Sequence, residues 1–545
     1  MRAQMMDRPL LINQLLWRGE HVFAEKEIVT RLPGAYHRYT YAQLGLRARR
    51  LAQALTRLGV GPGDRVGTLA WNTHQHYESY FGVPCMGAVL HTINLRLFPE
   101  QIAYVINHAA DSVLLVEPDQ LPVLEKIATQ LRTVRAYVVL GEGPVPETSL
   151  APVLGYEELL AAEDGDLVWP EFDENTAAAM CYTSATTGDP KGVVYSHRSV
   201  VLHSLNLALH GSIGVREEAT FLPISPMFHA NSWGIPHAAA MQGTKLVLPG
   251  PHPVADDYLD AIEREGVTHA VAAVSVGVMI RDALQRRDRD LSRLQVLWLG
   301  GQAPPLGLIR WFRDRYGVEV PQGWGMTEAS PLATFTAVKK RIREAGQDAV
   351  DRTLVKQGLP MPGIEVRLAD ESGAPLPWDG ETVGEFLLRG PTVTAAYHDD
   401  PRTADSFVDG WFRTGDVGVI DPDGYLQLTD RAKDLIKSGG EWISSVELEN
   451  ALMSHPAVAE AAVVAVPDER WLERPLACVV AREPVTAEDL RAHLADRFAK
   501  WQLPDEFLVV PEIPKTGVGK SDKKVLRARF AEPASREALR APDGS

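Results

Sequence analysis

The sequence predicts an α/β protein with a small β unit and a compact α+β domain following it. Three observations carry that prediction. Strand-like and helix-like segments alternate from about residue 41 to 340. Short strands separated by turn signals replace them after about residue 355. A third pattern, helix–strand–strand–helix, begins near Asp434. Alternating strands and helices imply parallel sheets covered on both faces.

In the first region the spacing of Leu51, Leu55 and Leu58 predicts a helix over 47–58, followed by a strand over 66–70 and a helix through 77–81. Apolar runs at 112–116, 136–140, 268–274 and 294–299 read as further buried strands. The run 271–280 reads as one buried strand or core segment, and the Pro/Gly/Glu-rich stretch 141–152 as a surface loop. In the second region, strands over 366–368, 384–388, 417–420 and 425–428 are separated by Glu371-Ser372-Gly373 and Asp421-Pro422-Asp423-Gly424, which suggests an antiparallel or barrel-like unit. In the third, helices over 446–453 and 487–498 flank strands over 461–466 and 476–480. The polar run Asp430-Arg431-Ala432-Lys433-Asp434 is the natural hinge between them.

Bulk properties narrow the function. The 545 residues carry a formal net charge of −16, which argues against non-specific binding to nucleic acid or anionic membrane. No apolar run reaches the roughly 20 residues of a membrane helix, and the N-terminus lacks a signal-peptide pattern. Three scattered cysteines, Cys85, Cys181 and Cys478, read as reduced thiols and hence a cytoplasmic setting.

The most informative segment is Tyr182-Thr183-Ser184-Ala185-Thr186-Thr187-Gly188-Asp189-Pro190-Lys191-Gly192. Four hydroxyls, glycines and a lysine behind a short apolar run can wrap polyphosphate oxygens. A second phosphate signal, Gly517-Val518-Gly519-Lys520-Ser521, fails as a Walker loop because Pro514 stands where the first glycine belongs.

In its order of residues the first segment resembles the phosphate loop of the adenylate-forming superfamily of acyl-CoA synthetases, luciferases and peptide-synthetase adenylation domains. It departs only at Ala185, where the family has glycine. The resemblance covers about residues 30 to 530 and is closest to bacterial medium- and long-chain fatty acid–CoA ligases and methylmercaptopropionate–CoA ligases. It implies a large N-terminal domain over 1–430, with a β-barrel subdomain over about 355–430, a hinge at 430–434 with Lys433 at its pivot, and a mobile lid over 435–545.

The same resemblance assigns residues. Thr183, Ser184, Ala185, Thr186, Thr187, Gly188 and Lys191 are expected around the phosphates. Gly301, Gln302, Ala303 and Pro304 match the segment beside the adenine, and Gly323-Trp324-Gly325-Met326-Thr327-Glu328 the adenine and phosphate box, with Trp324 able to stack on the base. Asp416 and Arg431 are expected on the ribose, and Mg²⁺ on Thr183 and Glu328. Lys520, in Pro514-Lys515-Thr516-Gly517-Val518-Gly519-Lys520, is expected to neutralise charge as the carboxylate attacks the α-phosphate. Thr183, Glu328, His229 and Lys520 form the implied catalytic set.

His229, Ala230, Asn231, Trp233, Val274, Gly325 and Met326 are the implied acyl pocket, with Trp233 as its gate and 274–278 as its floor. Lys437, Ser438, Gly439, Gly440, Glu441 and Trp442 are the implied coenzyme A tunnel. The activity implied is ATP-dependent formation of an acyl-adenylate from a medium- or long-chain, bulky or thio-substituted acid, then transfer to coenzyme A, in a homodimer. Small residues at 275–277 suggest extra room for the acid. No carrier domain follows Lys520, which favours free coenzyme A as acceptor. Transfer to a carrier protein or to oxygen, or a catalytically silent binding protein on this scaffold, are the rival readings.

Overall fold

The computed structural model describes the chain through Pro542 apart from residues 2–3, 184–188, 210, 432–433, 435, 439–440, 469–470, 496, 516–520 and 533–534, and gives only the backbone at 430, 431, 437, 441, 442 and 538. Two large sheets organise the N-terminal part. One has seven strands in the spatial order Val153–Gly155, Ala136–Val139, Asp111–Val116, Arg65–Leu69, Val89–Thr92, Ala177–Tyr182 and Gly192–Ser196. All its pairings are parallel except the last. Asp111–Val116 is buried at every residue, as a strand covered on both faces must be.

The second sheet has nine strands, with Thr220–Pro223, Lys245–Leu248, His269–Ala273, Val296–Gly300 and Gln322–Gly325 paired in parallel at its centre. One edge is a hairpin, Glu27–Leu32 with Ala35–Thr40, inserted beside Lys245–Leu248. The alternation that begins at residue 41 omits this hairpin. Its second strand is polar and only half-buried, so it lacks an apolar signature. The Tyr41–Arg57 helix then starts on a capping box, with the Thr40 hydroxyl accepting from the Gln43 backbone and the Gln43 side chain accepting from Thr40. Leu51 and Leu55 are buried on its inner face.

The run 271–280 is not one strand. The strand ends at Ala273 and the Val274–Arg286 helix begins at once. Gly277 explains the change: a Cβ there would lie 3.0 Å from Leu299, so the small residue lets the helix settle on the strand beneath it.

The turn-rich stretch forms a five-stranded antiparallel sheet of Glu365–Ala369, Gly384–Arg389, Phe407–Val408, Trp411–Ile420 and Leu426–Arg431. Trp411–Ile420 is a single ten-residue strand running through the expected ribose box. The C-terminal sheet is built on the long pair Val458–Asp468 and Leu472–Ala481. Separate apolar cores lie around Leu448, Leu452, Leu490 and Phe507, and around Val464, Cys478, Leu526 and Phe530. The Ser444 hydroxyl donates to the Thr429 carbonyl, and Arg527 pairs with Asp434 at 2.7 Å, tying this part to the end of the preceding sheet. All three cysteines are free and buried.

Candidate active site

A cavity of about 380 Å³ opens at the carboxyl ends of strands from both large sheets. Trp71, Asn72 and Thr183 reach it from the seven-stranded sheet. Ile224 to Pro226, Ala273 to Val276, Gly300 to Gln302, Gly323 and Gly325 to Thr327 reach it from the nine-stranded sheet. The ends of parallel strands are where α/β sheets bind ligands, because the connections there diverge and leave backbone groups exposed.

The phosphate segment connects the antiparallel pair Ala177–Tyr182 and Gly192–Ser196. Its neck is closed twice: the Thr183 amide donates to the Lys191 carbonyl at 2.9 Å, and the Lys191 amide donates to the Thr183 hydroxyl at 3.2 Å. Ser184, Ala185, Thr186, Thr187 and Gly188 lie outside the described residues, so the described part is this neck, with Thr183 on the cavity wall.

Opposite the neck, Glu328 is 6% exposed and lines the cavity. Its carboxylate accepts from the Tyr397 hydroxyl at 2.6 Å. The Lys191 ammonium sits 4.3 Å above the same tyrosine ring, so Tyr397 joins the phosphate neck to the carboxylate. Burial and the neighbouring Glu328 charge raise the Tyr397 pKa, which keeps its proton available for donation. Tyr195, on the strand leaving the neck, donates to the Thr327 carbonyl at 2.6 Å and fixes the adjoining residue. A buried carboxylate lining the same cavity as the Thr183 hydroxyl offers hard-oxygen donors of the kind Mg²⁺ takes.

Trp324 does not line the cavity. It is 7% exposed, lies edge-on to Phe386, and its indole N–H donates to Asp416 at 2.8 Å. Asp416 is itself buried, and Arg431 is its cross-strand partner in the backbone ladder. The tryptophan expected against the adenine therefore orients the carboxylate expected on the ribose. Gly323, Gly325, Met326 and Thr327 do reach the cavity. A Cβ at Gly325 would lie 2.1 Å from the Pro331 carbonyl, so only glycine fits there. Gly301 and Gln302 line the cavity, and Ala303 and Pro304 lie beyond its wall.

The acyl side is built differently. Ala230, Asn231, Ser232 and Trp233 all have φ between 45° and 60°, and Gly234 follows at 80°. Left-handed backbone costs an L-residue about 1–2 kcal/mol, so this turn persists only because its surroundings hold it. The Ser232 hydroxyl donates to the Ser225 carbonyl at 2.6 Å, and His203 Nε2 bonds the Trp233 carbonyl at 3.1 Å. Asn231 Oδ1 accepts from Tyr80 at 3.3 Å and from Thr92 at 3.4 Å. Asn231 is thus a buried brace, whereas His229, Ala230 and Trp233 line the cavity. Trp233 rests on Gly300, where a Cβ would lie 2.6 Å from its ring. Of the expected floor, Val274, Ser275 and Val276 face the cavity; Gly277 has turned toward Leu299 and Val278 packs into the core.

Against this geometry the sequence comparisons are decisive. The model of the AMP-binding enzyme family matches residues 16–398, and that of the AMP-binding enzyme C-terminal domain matches residues 447–520. The chain belongs to the AMP-binding enzyme family. Among its relatives, the long-chain-fatty-acid–CoA ligase of Thermus thermophilus is 48% identical over 533 residues, covering 97% of each chain. The 3-methylmercaptopropionyl-CoA ligase of Ruegeria lacuscaerulensis is 42% identical over 98% of this chain and 99% of its own. The medium-chain-fatty-acid–CoA ligase of Ectopseudomonas oleovorans is 42% identical over 98% of both. A solved anthranilate CoA ligase in complex with anthranoyl-AMP superposes with a TM-score of 0.85 at 27% identity, covering 99% of each chain.

The remaining expected residues of this AMP-binding enzyme lie toward the C-terminus. Lys433, Gly439, Gly440 and Lys520 fall outside the described residues. Lys437, Ser438, Glu441 and Trp442 form a hairpin pairing Lys437 with Trp442 and Ser438 with Glu441. The Ser438 hydroxyl accepts from Arg474 at 3.0 Å. Two lysines flanking Lys520 are engaged elsewhere: Lys515 pairs with Glu460 at 2.6 Å and Lys523 with Glu449 at 2.7 Å.

Sequence reasoning missed Tyr195 and Tyr397, which hold Thr327 and Glu328. It also missed Trp71, Asn72, Tyr258 and His252, which line the far end of the cavity. Trp71 meets Phe228 and His252 in ring contacts, and burial pushes the Tyr258 hydroxyl up to about 12. These residues are scattered over 71–397 with no shared spacing, so only the tertiary fold joins them.

Proposed function

We propose that this protein activates a medium- or long-chain fatty acid, or a bulky or thio-substituted relative, and passes it to coenzyme A. The enzyme is an AMP-forming acid–CoA ligase. The observation that carries the reading is the single cavity: the Thr183–Lys191 neck and Glu328 share it with His229, Trp233 and Val274. An acid seated against Trp233 has its carboxylate directed toward the phosphate neck.

In the first half-reaction a carboxylate oxygen bonds to the α-phosphorus and pyrophosphate departs. Thr183 and the loop after it position the phosphates, and Asp416, oriented by Trp324, receives the ribose hydroxyls. Lys520 supplies positive charge where it develops. Thr183 and Glu328 would hold Mg²⁺, which would supply charge neutralisation at the phosphates; Tyr397 fixes the Glu328 carboxylate. In the second half-reaction the coenzyme A thiol bonds to the acyl carbon and AMP leaves. Hairpin 437–442 contributes to the thiol's path, with Lys433 at the pivot that brings it into place. The acid class rests on the relatives' substrates and on the half-apolar far wall of Trp71, Phe228 and Tyr258.

A homodimer in the cytoplasm completes the proposal. Among the described residues no helix is long and apolar enough to cross a membrane; light scattering of the purified chain reads the dimer. The deciding experiment is a panel of short, medium, long, thioether and aromatic acids, assayed for AMP release with and without coenzyme A. Coenzyme A-dependent AMP release with medium or long acids is expected. No AMP release with any acid sinks the reading, and release without thioester formation moves it to another acceptor.

A further inference from the structure

Outside the active site, one group of side chains has the composition of a metal centre. His37 lies on the edge strand Ala35–Thr40, His74 opens the His74–Gly82 helix, and Glu142 lies in the loop after Ala136–Val139. Each offers one ligand atom, and the three atoms lie within 4.8 Å of one another. His37 Nδ1 and Glu142 Oε1 are 2.9 Å apart. The His37 and His74 rings stack with centroids 3.8 Å apart and planes 6° from parallel.

The second observation is His74 itself. It is 2% exposed, and neither ring nitrogen has a hydrogen-bond partner among the described residues. Leaving a buried polar group without a partner is costly, so its retention at the centre of a ligand cluster calls for an occupant.

The surroundings accommodate a cation. Arg47 is the nearby guanidinium, and Glu78 and Glu157 each answer it at 2.7 Å, so it is engaged away from Glu142, whose partner is His37. The loop bearing Glu142 is fastened to the residue after His74, since the Gly141 amide donates to Gln75 Oε1 at 2.6 Å. Glu142 is exposed and His37 only partly covered, so an ion has a route in from solvent. Two donors on one tetrahedral ion are about 3.4 Å apart, and each imidazole binds along a lone pair in its ring plane, so metal binding also requires the partly exposed His37 ring to turn out of its stack on His74 as Glu142 rotates in.

We propose that His37, His74 and Glu142 form a site for a divalent transition metal of the Zn²⁺ class, completed by solvent. Two imidazoles and one carboxylate suit Zn²⁺ and disfavour the hard Mg²⁺ used with nucleotides. The site is independent of the ligase chemistry. It nevertheless lies beside it: Trp71 and Asn72, which precede His74, are cavity walls.

The test is Zn²⁺ titration by calorimetry on the untagged full chain, without nucleotide and with Mg²⁺ in excess. One equivalent is expected to bind. His37→Gln and Glu142→Gln, both at accessible positions, should each weaken binding about tenfold or more while leaving the metal-free melting profile unchanged. Cu²⁺ electron spin resonance should show two coordinated imidazole nitrogens in the parent chain and one in His37→Gln. No Zn²⁺ binding, or binding that neither substitution weakens, overturns the proposal; the second outcome would place the ion elsewhere, including the nucleotide site.

Discussion

The two sides of the cavity are held by opposite means. On the nucleotide side, ordinary backbone carries two buried carboxylates, and an aromatic donor fixes each: Trp324 for Asp416 and Tyr397 for Glu328. On the acyl side, the backbone itself is forced into five successive left-handed residues, and side chains brace it from behind. The nucleotide is the same for every member of such a family, so its side can be written as a fixed set of residues. The acid differs, and its side is written as a backbone shape that few local sequence rules describe.

Lys520→Ala tests the chemistry common to both sides. Adenylation, followed by acid-dependent pyrophosphate exchange, should fall by about 10²–10³-fold, while thioester formation from supplied acyl-AMP stays within a few-fold. Equal loss in both half-reactions would remove Lys520 from its assigned role. Gly300→Ala strikes the acyl side first, its methyl lying 2.6 Å from the Trp233 ring against 3.1 Å from the Gly323 carbonyl. The added methyl displaces the Trp233 ring, and kcat/KM should fall by about tenfold or more, unevenly across acid chain lengths. A uniform loss over the acid panel breaks the comparison.

Trp324→Phe strikes the nucleotide side. It removes the donor to a buried carboxylate, worth about 1–3 kcal/mol, so KM for ATP should rise by about tenfold with little change in KM for the acid. A matching rise for the acid would show that the two sides are not separable.

Acid pH should expose the bracing of the left-handed turn. Burial lowers His203 to about 4 and His197 to about 4, and lowers His237 to about 3. These rings are neutral in the native state, whereas an unfolded histidine titrates near 6.5. Below that pH the unfolded chain takes up protons the native chain refuses, so stability falls toward pH 4 by about 1.4 kcal/mol per pH unit per group. Glu78 and Glu117, raised to about 7 by burial, act in the reverse sense over 4.5–7. Melting temperatures from pH 7 to 5 should decline, and His203→Gln should flatten the decline; an unchanged slope would detach His203 from the effect. The smallest change is expected from Ala185→Gly, which should leave turnover equal or higher. A large loss would show a loop tuned to alanine.

Legibility in the sequence follows the same division. The nucleotide boxes and most central strands could be read because each is a local run with its own chemistry, as in Ala177–Tyr182 leading to the Thr183–Lys191 neck. The N-terminal hairpin was missed because its outer strand, Ala35–Thr40, is polar. The helix starting at Val274 was missed because Val-Ser-Val-Gly-Val reads locally as extended chain, and only packing against Leu299 decides otherwise. An aromatic in a glycine-rich box has two possible uses, stacking and hydrogen bonding. The bond from Trp324 to Asp416, 92 residues away, is the part no local run discloses.

The turn at Ala230–Trp233 has one more consequence, which concerns chirality. Its φ angles of 45° to 60° are those of a right-handed turn seen in a mirror. D-amino acids favour that geometry as strongly as L-residues avoid it. A semisynthetic chain with D-alanine at 230 should therefore be more stable than its L-counterpart by up to about 1–2 kcal/mol, read as a higher melting temperature. Here a natural L-protein is locally better suited to the other enantiomer, and it keeps the L-residue because the turn sets where the Trp233 ring stands.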